Sequence, residues 1–161
     1  MRSPWLRLAA LAAGLMLLAG CGFHLRDALD LGPELARVHI TGDDREMVGH
    51  LSRVLEQRGV VIADSAHRAA VIDVSGRGFE RAALTTDSRG RASAYELHYQ
   101  VAFSVTGADG EALHPAHTIT ISRAFDYDPA RQLQSEAETR FLETAMRREM
   151  AVRILQYLAR R

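Results

Sequence analysis

The chain has 161 residues, with 20 basic and 20 acidic side chains and a formal net charge of zero. That length suits one domain with a core of its own, and the even charge gives no basic excess of the kind nucleic-acid binders carry. A single cysteine rules out an intrachain disulfide, and every basic residue is arginine.

The first 20 residues read as an address. Arg2 and Arg7 make a positively charged start, and residues 8–18 form an apolar run. That run is shorter than the ~20 residues needed to span a bilayer and has the length of a secretory leader. Leu18-Ala19-Gly20 then leads into Cys21, the spacing of a bacterial lipobox. Such a cysteine receives an S-diacylglycerol group, the leader (1–20) is removed, and the new amino group takes an acyl chain such as palmitate. No other cofactor is expected. Several acyl chains anchor firmly, because each buried CH₂ contributes ~0.8 kcal/mol. Gly22 stands where an aspartate would favour inner-membrane retention, so the expected destination is the outer membrane. The mature chain carries 18 arginines against 20 acids, a formal charge of −2.

Residues 21–36 contain two glycines and a proline without periodicity and read as the lipidated N-terminus and a tether. A single domain over 37–161 follows. Val38-His39-Ile40-Thr41 alternates as a short first strand. Asp43 and Glu46 have capping-box spacing, and Met47, Val48, Leu51, Val54 and Leu55 fall at helical intervals, predicting a helix over 45–58 ended by Gly59. Val60-Val61-Ile62 returns in extended form. A second strand starts at Ala70, bulges or bends at Gly76 and Gly78, and resumes through Phe79 towards Thr85. Asp87-Ser88-Arg89-Gly90 is turn chemistry that closes a hairpin.

The third strand carries apolar residues at every second position, from Tyr95 through Leu97, Tyr99, Val101 and Phe103 to Val105, as one buried face requires. After a turn at Gly107-Ala108-Asp109-Gly110, Ile119, Ile121, Phe125 and Tyr127 mark a fourth strand, interrupted on its apolar side by Arg123. Asp128-Pro129 caps a last helix over 129–159. Leu142, Met146, Met150, Ile154 and Leu158 lie four apart on it, with a second apolar band of Phe141, Ala145, Val152 and Leu155. That width fits either a helix buried on two sides by its own domain or one that also meets a partner. The order β-α-β-β-β-α predicts an α+β two-layer sandwich, a four-stranded, mostly antiparallel sheet with two helices on one face.

Catalytic chemistry is missing from the pattern. There is no nucleophile elbow, phosphate loop or dinucleotide fingerprint. His114 and His117 have no third ligand near them in sequence and read as a solvated loop rather than a metal pair. Asp128 is spoken for as a helix cap. Arg77, Arg81, Arg89 and Arg91, offset only by Glu80 and Asp87, stand out on and beside the hairpin. They fit an edge strand protected by charge, or a patch for a phosphate-bearing ligand, since guanidinium pairs with phosphate through two hydrogen bonds.

Cys21-Gly22-Phe23-His24-Leu25-Arg26, Ala94-Tyr95-Glu96-Leu97, Phe125-Asp126-Tyr127 and the long last helix resemble the LptE family of lipopolysaccharide-assembly lipoproteins, over nearly the whole mature chain. The resemblance implies a non-enzymatic protein that plugs the LptD β-barrel in the outer membrane, assists its assembly and binds lipopolysaccharide. The family's basic residues near the hairpin carry over to Arg89 and Arg91, with Arg77 and Arg81 beside them. Those near the start of the last helix do not match, because Gln134 and Ser135 are uncharged and Arg131 is the nearest basic residue. The alternative is a periplasm-facing lipoprotein adaptor that activates a cell-wall enzyme or pilots another outer-membrane assembly. A small hydrolase using His114 or His117 is a third and weaker reading.

Overall fold

The computed structural model describes residues 31–127 and 132–160. The leader, Cys21, the Asp128-Pro129 cap and Arg131 lie outside them. A 3₁₀ turn (Pro33–Leu35) opens the domain. Then come β1 (Arg37–Gly42), α1 (Arg45–Glu56), β2 (Val61–Ile62), β3 (Ala70–Thr86), β4 (Ala92–Thr106), β5 (Ala112–Asp126) and α2 (Gln132–Leu158). The sheet has five strands in the order β2-β1-β3-β4-β5. β1 pairs in parallel with β2 and β3, while β3-β4 and β4-β5 are antiparallel. The expected two-layer α+β architecture is present, with one strand more than expected. β2 is two residues long, too short to show alternation, and only its pairing Arg37↔Val61 and Val38↔Ile62 makes it a strand.

The core lies between one sheet face and the two helices. Val38 and Ile40 of β1, Ile72 and Val74 of β3, Leu97 to Val105 at odd positions of β4, and Ile121 and Phe125 of β5 are buried together. α1 contributes Met47, Leu51 and Leu55, and α2 contributes Met146, Met150, Ile154 and Leu158. Each such side chain withdrawn from water contributes about 1.5–3 kcal/mol before entropy is charged against it. Only one of α2's two apolar bands joins this core in full. Leu155 is buried, but Phe141 is 72 % exposed and Val152 and Ala145 are exposed too. Most of the second band is therefore a solvent-facing stripe rather than a second buried side.

Four local expectations are revised or made specific. The N-cap of α1 is Asp44, whose carboxylate accepts from the Met47 amide at 3.0 Å. Asp43 instead accepts from the Gly76 amide at 3.1 Å, tying the loop to β3. α1 ends at Glu56, two residues early, and Gly59 (φ 83°) turns the chain after it. Of the bulge or bend expected in β3, the structure has the bulge: Gly76 pairs with Val101 but Phe79 with Tyr99, so three residues oppose two. Gly78 sits there at φ 79°, a conformation costly for other residues.

The fourth revision concerns His114 and His117. They lie inside β5, not in a loop. Pro115 is tolerated because β5 is an edge strand. Phe103 pairs with His117 and Val105 with His114, so a bulge again sets three residues against two. Histidines three apart, which strict alternation would put on opposite faces, thereby share one face. Arg123, the exception in β5's apolar pattern, lies opposite Leu97 on the helix side and donates to Glu149 of α2.

Candidate functional site: the two ends of the sheet

β4 is 15 residues long, about 45–50 Å of strand, and separates two chemically different ends. At one end the β3–β4 hairpin projects. At the other, the β4–β5 turn, Leu31 and the C-terminal turn of α2 come together, with Leu31, Leu113, Leu158 and Arg160 lining one recess.

At the hairpin end the structure does not gather the four arginines into a single cluster. Arg77 lies in the bulge and Arg89 at the tip, roughly 30 Å of strand away. Arg91 is already engaged. Its Nε and Nη2 donate to Asp87 at 3.0 and 2.9 Å, and its amide donates to the same carboxylate. With the Arg89 amide, these bonds close the turn. Led by the Arg91 amide and guanidinium, they hold the Asp87 carboxyl below its ordinary value. Arg89 and Arg77 have exposed side chains with no ion-pair partner among the described residues. Arg81 stacks its guanidinium over the Tyr95 ring at 4.5 Å, on the helix-side face.

Sequence reasoning missed the aromatic ladder beneath Arg81. Tyr95 lies 6.0 Å from Phe125 and meets Tyr127 edge-on at 5.2 Å. The alternation Tyr95, Phe125, Tyr127 signalled burial, yet helical cover thins here. Beyond Phe79 every residue of β3 from Glu80 to Thr86 is exposed, including Leu84 at 52 %. Leu133, in the first turn of α2, is 82 % exposed. The end therefore offers free guanidinium groups beside aromatic and aliphatic surface.

Inboard of the hairpin, a polar latch joins all layers. Asp44 accepts from the Tyr99 hydroxyl and from Arg147 Nε, each at 3.0 Å. Arg147 also pairs with Glu46 at 3.0 Å and lies 4.7 Å over the Phe79 ring, which stacks on Tyr99 at 4.2 Å. Burial alone would raise the Asp44 carboxyl, but the Met47 amide, Arg147 and Tyr99 outweigh it and hold it below its ordinary value. Burial, then the Asp44 charge, pushes the Tyr99 phenol far up. Burial works against the Arg147 charge, and Asp44 and Glu46 more than restore it. No proton is poised for transfer at neutral pH; the latch is structural.

The sheet face away from the helices carries short polar side chains paired across strands. Gln100 donates to Thr120 at 3.3 Å, His98 shares a 2.9 Å bond with Ser122, and Thr41 donates to Asp73 at 3.3 Å. Among the described residues, no group of three or more metal-ligating side chains is present. No described helix is long and apolar enough to cross a membrane.

Residues 35–161 match the sequence model of the family described as LptE, lipopolysaccharide-assembly. The LPS-assembly lipoprotein LptE of Photorhabdus laumondii is 27% identical over 159 residues, covering 94% of this chain and 85% of that protein. Its counterpart in Yersinia enterocolitica is 28% identical, covering 94% and 75%. Among solved structures, rare lipoprotein B from Shewanella oneidensis superposes with a TM-score of 0.67 at 30% identity, over 76% of this chain and 93% of that one. Lipoprotein B from Nitrosomonas europaea shares the fold, with a TM-score of 0.68 at 23% identity, over 80% and 88%. The chain belongs to the LptE family of lipopolysaccharide-assembly lipoproteins, envelope proteins that are not enzymes.

Proposed function

We propose that this chain, lipidated on Cys21 after loss of residues 1–20, sits at the outer membrane as the plug of the LptD β-barrel. There it assists barrel assembly and binds lipopolysaccharide at its hairpin end. The observation that carries the ligand reading is the pairing of free guanidinium groups (Arg89 and the ring-stacked Arg81) with exposed apolar side chains at that end. A phosphorylated amphiphile needs both: charge-assisted hydrogen bonds for its phosphates and apolar contact for its acyl chains. Arg131, just before α2 in the sequence, is a further basic residue proposed for this ligand. The plug reading is supported by the ladder-paired polar sheet face, which suits a water-lined barrel wall better than a dry interface.

Charge reversal at Arg81 and Arg89 tests the ligand claim. Arg91 is left alone because its loss opens the turn. The double variant Arg81→Glu, Arg89→Glu is expected to bind lipopolysaccharide about tenfold or more weakly while unfolding at the parent's midpoint. Unchanged affinity contradicts the assignment.

A further inference from the structure

The opposite end of the molecule carries a cleft rich in hydrogen-bond donors. A cleft of ≈ 340 Å³ between β5 and the last turns of α2 is lined by His117, Ile119, Arg153, Gln156, Tyr157 and Arg160. None of the six is acidic, and five carry side-chain groups able to donate hydrogen bonds. The Tyr157 ring stacks on His117 at 4.2 Å, tilts against His114 at 5.9 Å and rests edge-on against buried Phe103 at 5.2 Å. The β5 bulge that puts both histidines on this face therefore builds a rigid floor. Glu149 takes up Nε and Nη2 of Arg153 and is shared with Arg123. Nη1 of Arg153 and the Arg160 guanidinium have no acceptor among the described residues. A neighbouring recess, lined by four leucines (Leu31, Leu35, Leu113, Leu158) with Glu34 and His114, shares Arg160 with the cleft.

We propose that this cleft binds the phosphate of an anionic glycerophospholipid headgroup in the leaflet that holds the acyl chains of Cys21. The proposal rests on the lipidation reading and extends it from a covalent anchor to a second, non-covalent contact. Two observations select a lipid over free phosphate. The donors adjoin an apolar recess, as an amphiphile requires. Leu31, where the described chain begins, lines that recess, and only residues 22–30 separate it from Cys21. Nine residues reach at most about 30 Å, so this end stays within reach of the headgroups. Bidentate guanidinium–phosphate pairing would fix the orientation of the domain on the membrane, which a single covalent anchor alone does not.

The test uses the full-length lipidated protein in non-ionic detergent, reading the ring resonances of His117 and Tyr157. Short-chain phosphatidylglycerol is expected to shift both saturably. Short-chain phosphatidylcholine and inorganic phosphate should need at least about tenfold higher concentrations. Arg160→Glu and, separately, Arg153→Gln should each weaken phosphatidylglycerol binding about tenfold, while Arg89→Glu leaves it unchanged. No shift with phosphatidylglycerol, or a shift that survives Arg160→Glu, overturns the site. An equal response to inorganic phosphate overturns the lipid assignment, and loss in Arg89→Glu moves the ligand to the hairpin. The mass of the mature N-terminal peptide reads acylation of Cys21 independently, so failure of the anchor and failure of the cleft are distinguishable.

Discussion

β3 and β4 run through both ends of the sheet, yet the same alternating pattern performs different work at each. Between Ala70 and Val74 alternate residues of β3 are buried under α1 and α2; between Glu80 and Thr86 all are exposed. The lower half is held by packing. The upper half is held by cross-strand hydrogen bonds, an aromatic ladder and the Asp87 turn. Substitutions in the first region should therefore act on stability, and those in the second on binding. The bulge at Gly76–Phe79 and the Asp44 latch mark the boundary.

The sharpest way to break this division is Tyr99→Ala. It removes a buried ring stacked on Phe79 and a donor to Asp44, and is expected to cost about 3–5 kcal/mol in denaturant unfolding. Asp44→Ala comes next. It deletes the α1 cap and leaves Arg147 and the Tyr99 hydroxyl without their shared acceptor, a loss of about 2–4 kcal/mol. If either variant unfolds at the parent's midpoint, the latch is ornamental.

Acid should weaken the lower half in two steps. His50 of α1 titrates below its ordinary value, first through burial and then through Arg53 and Arg148. The unfolded chain thus binds that proton at a higher pH than the folded one, and stability falls as pH drops through the ordinary histidine range near ~6.5. Asp44, also depressed, adds a further loss beginning near pH ~4, as its charge is removed from Arg147. Denaturant midpoints against pH should lose the upper step in His50→Gln and the lower one in Asp44→Asn.

The smallest stability effect belongs to the hairpin tip. Asp87→Ala should leave the global midpoint nearly unchanged while amide exchange at Arg89 and Arg91 accelerates, since both amides donate to that carboxylate. A large global loss there would merge the two regions into one.

Much of this was legible in the residues. β4 announced itself because six apolar side chains at alternate positions admit one reading, and α1 because its apolar residues recur at helical spacing. The α+β layering followed from element order. What escaped was decided by tertiary contact. β2 exists only through its partner, and the β5 bulge is a register event that local pattern does not encode, whereas Gly76 and Gly78 had marked the one in β3. Asp43 and Asp44 are neighbours of one type, so the choice of cap depended on where Gly76, Tyr99 and Arg147 arrive. At the hairpin, counting arginines gave a group of four but not their division of labour. That Arg91 serves the turn, while Arg89 and Arg81 remain available, follows from Asp87's position beneath the tip. The His114–His117 pair looked like loop because alternation fails across Pro115, and the failure is the bulge itself.

In the proposed function this lipoprotein works inside a partner barrel rather than alone on the membrane. The direct measurement is isolation of the Cys21-lipidated chain from outer membranes in mild detergent, with the bound species identified and counted. The account predicts one LptD barrel per chain, retained through purification and released only when the barrel unfolds. A chain that comes off alone, or with a cell-wall enzyme in place of a barrel, contradicts it.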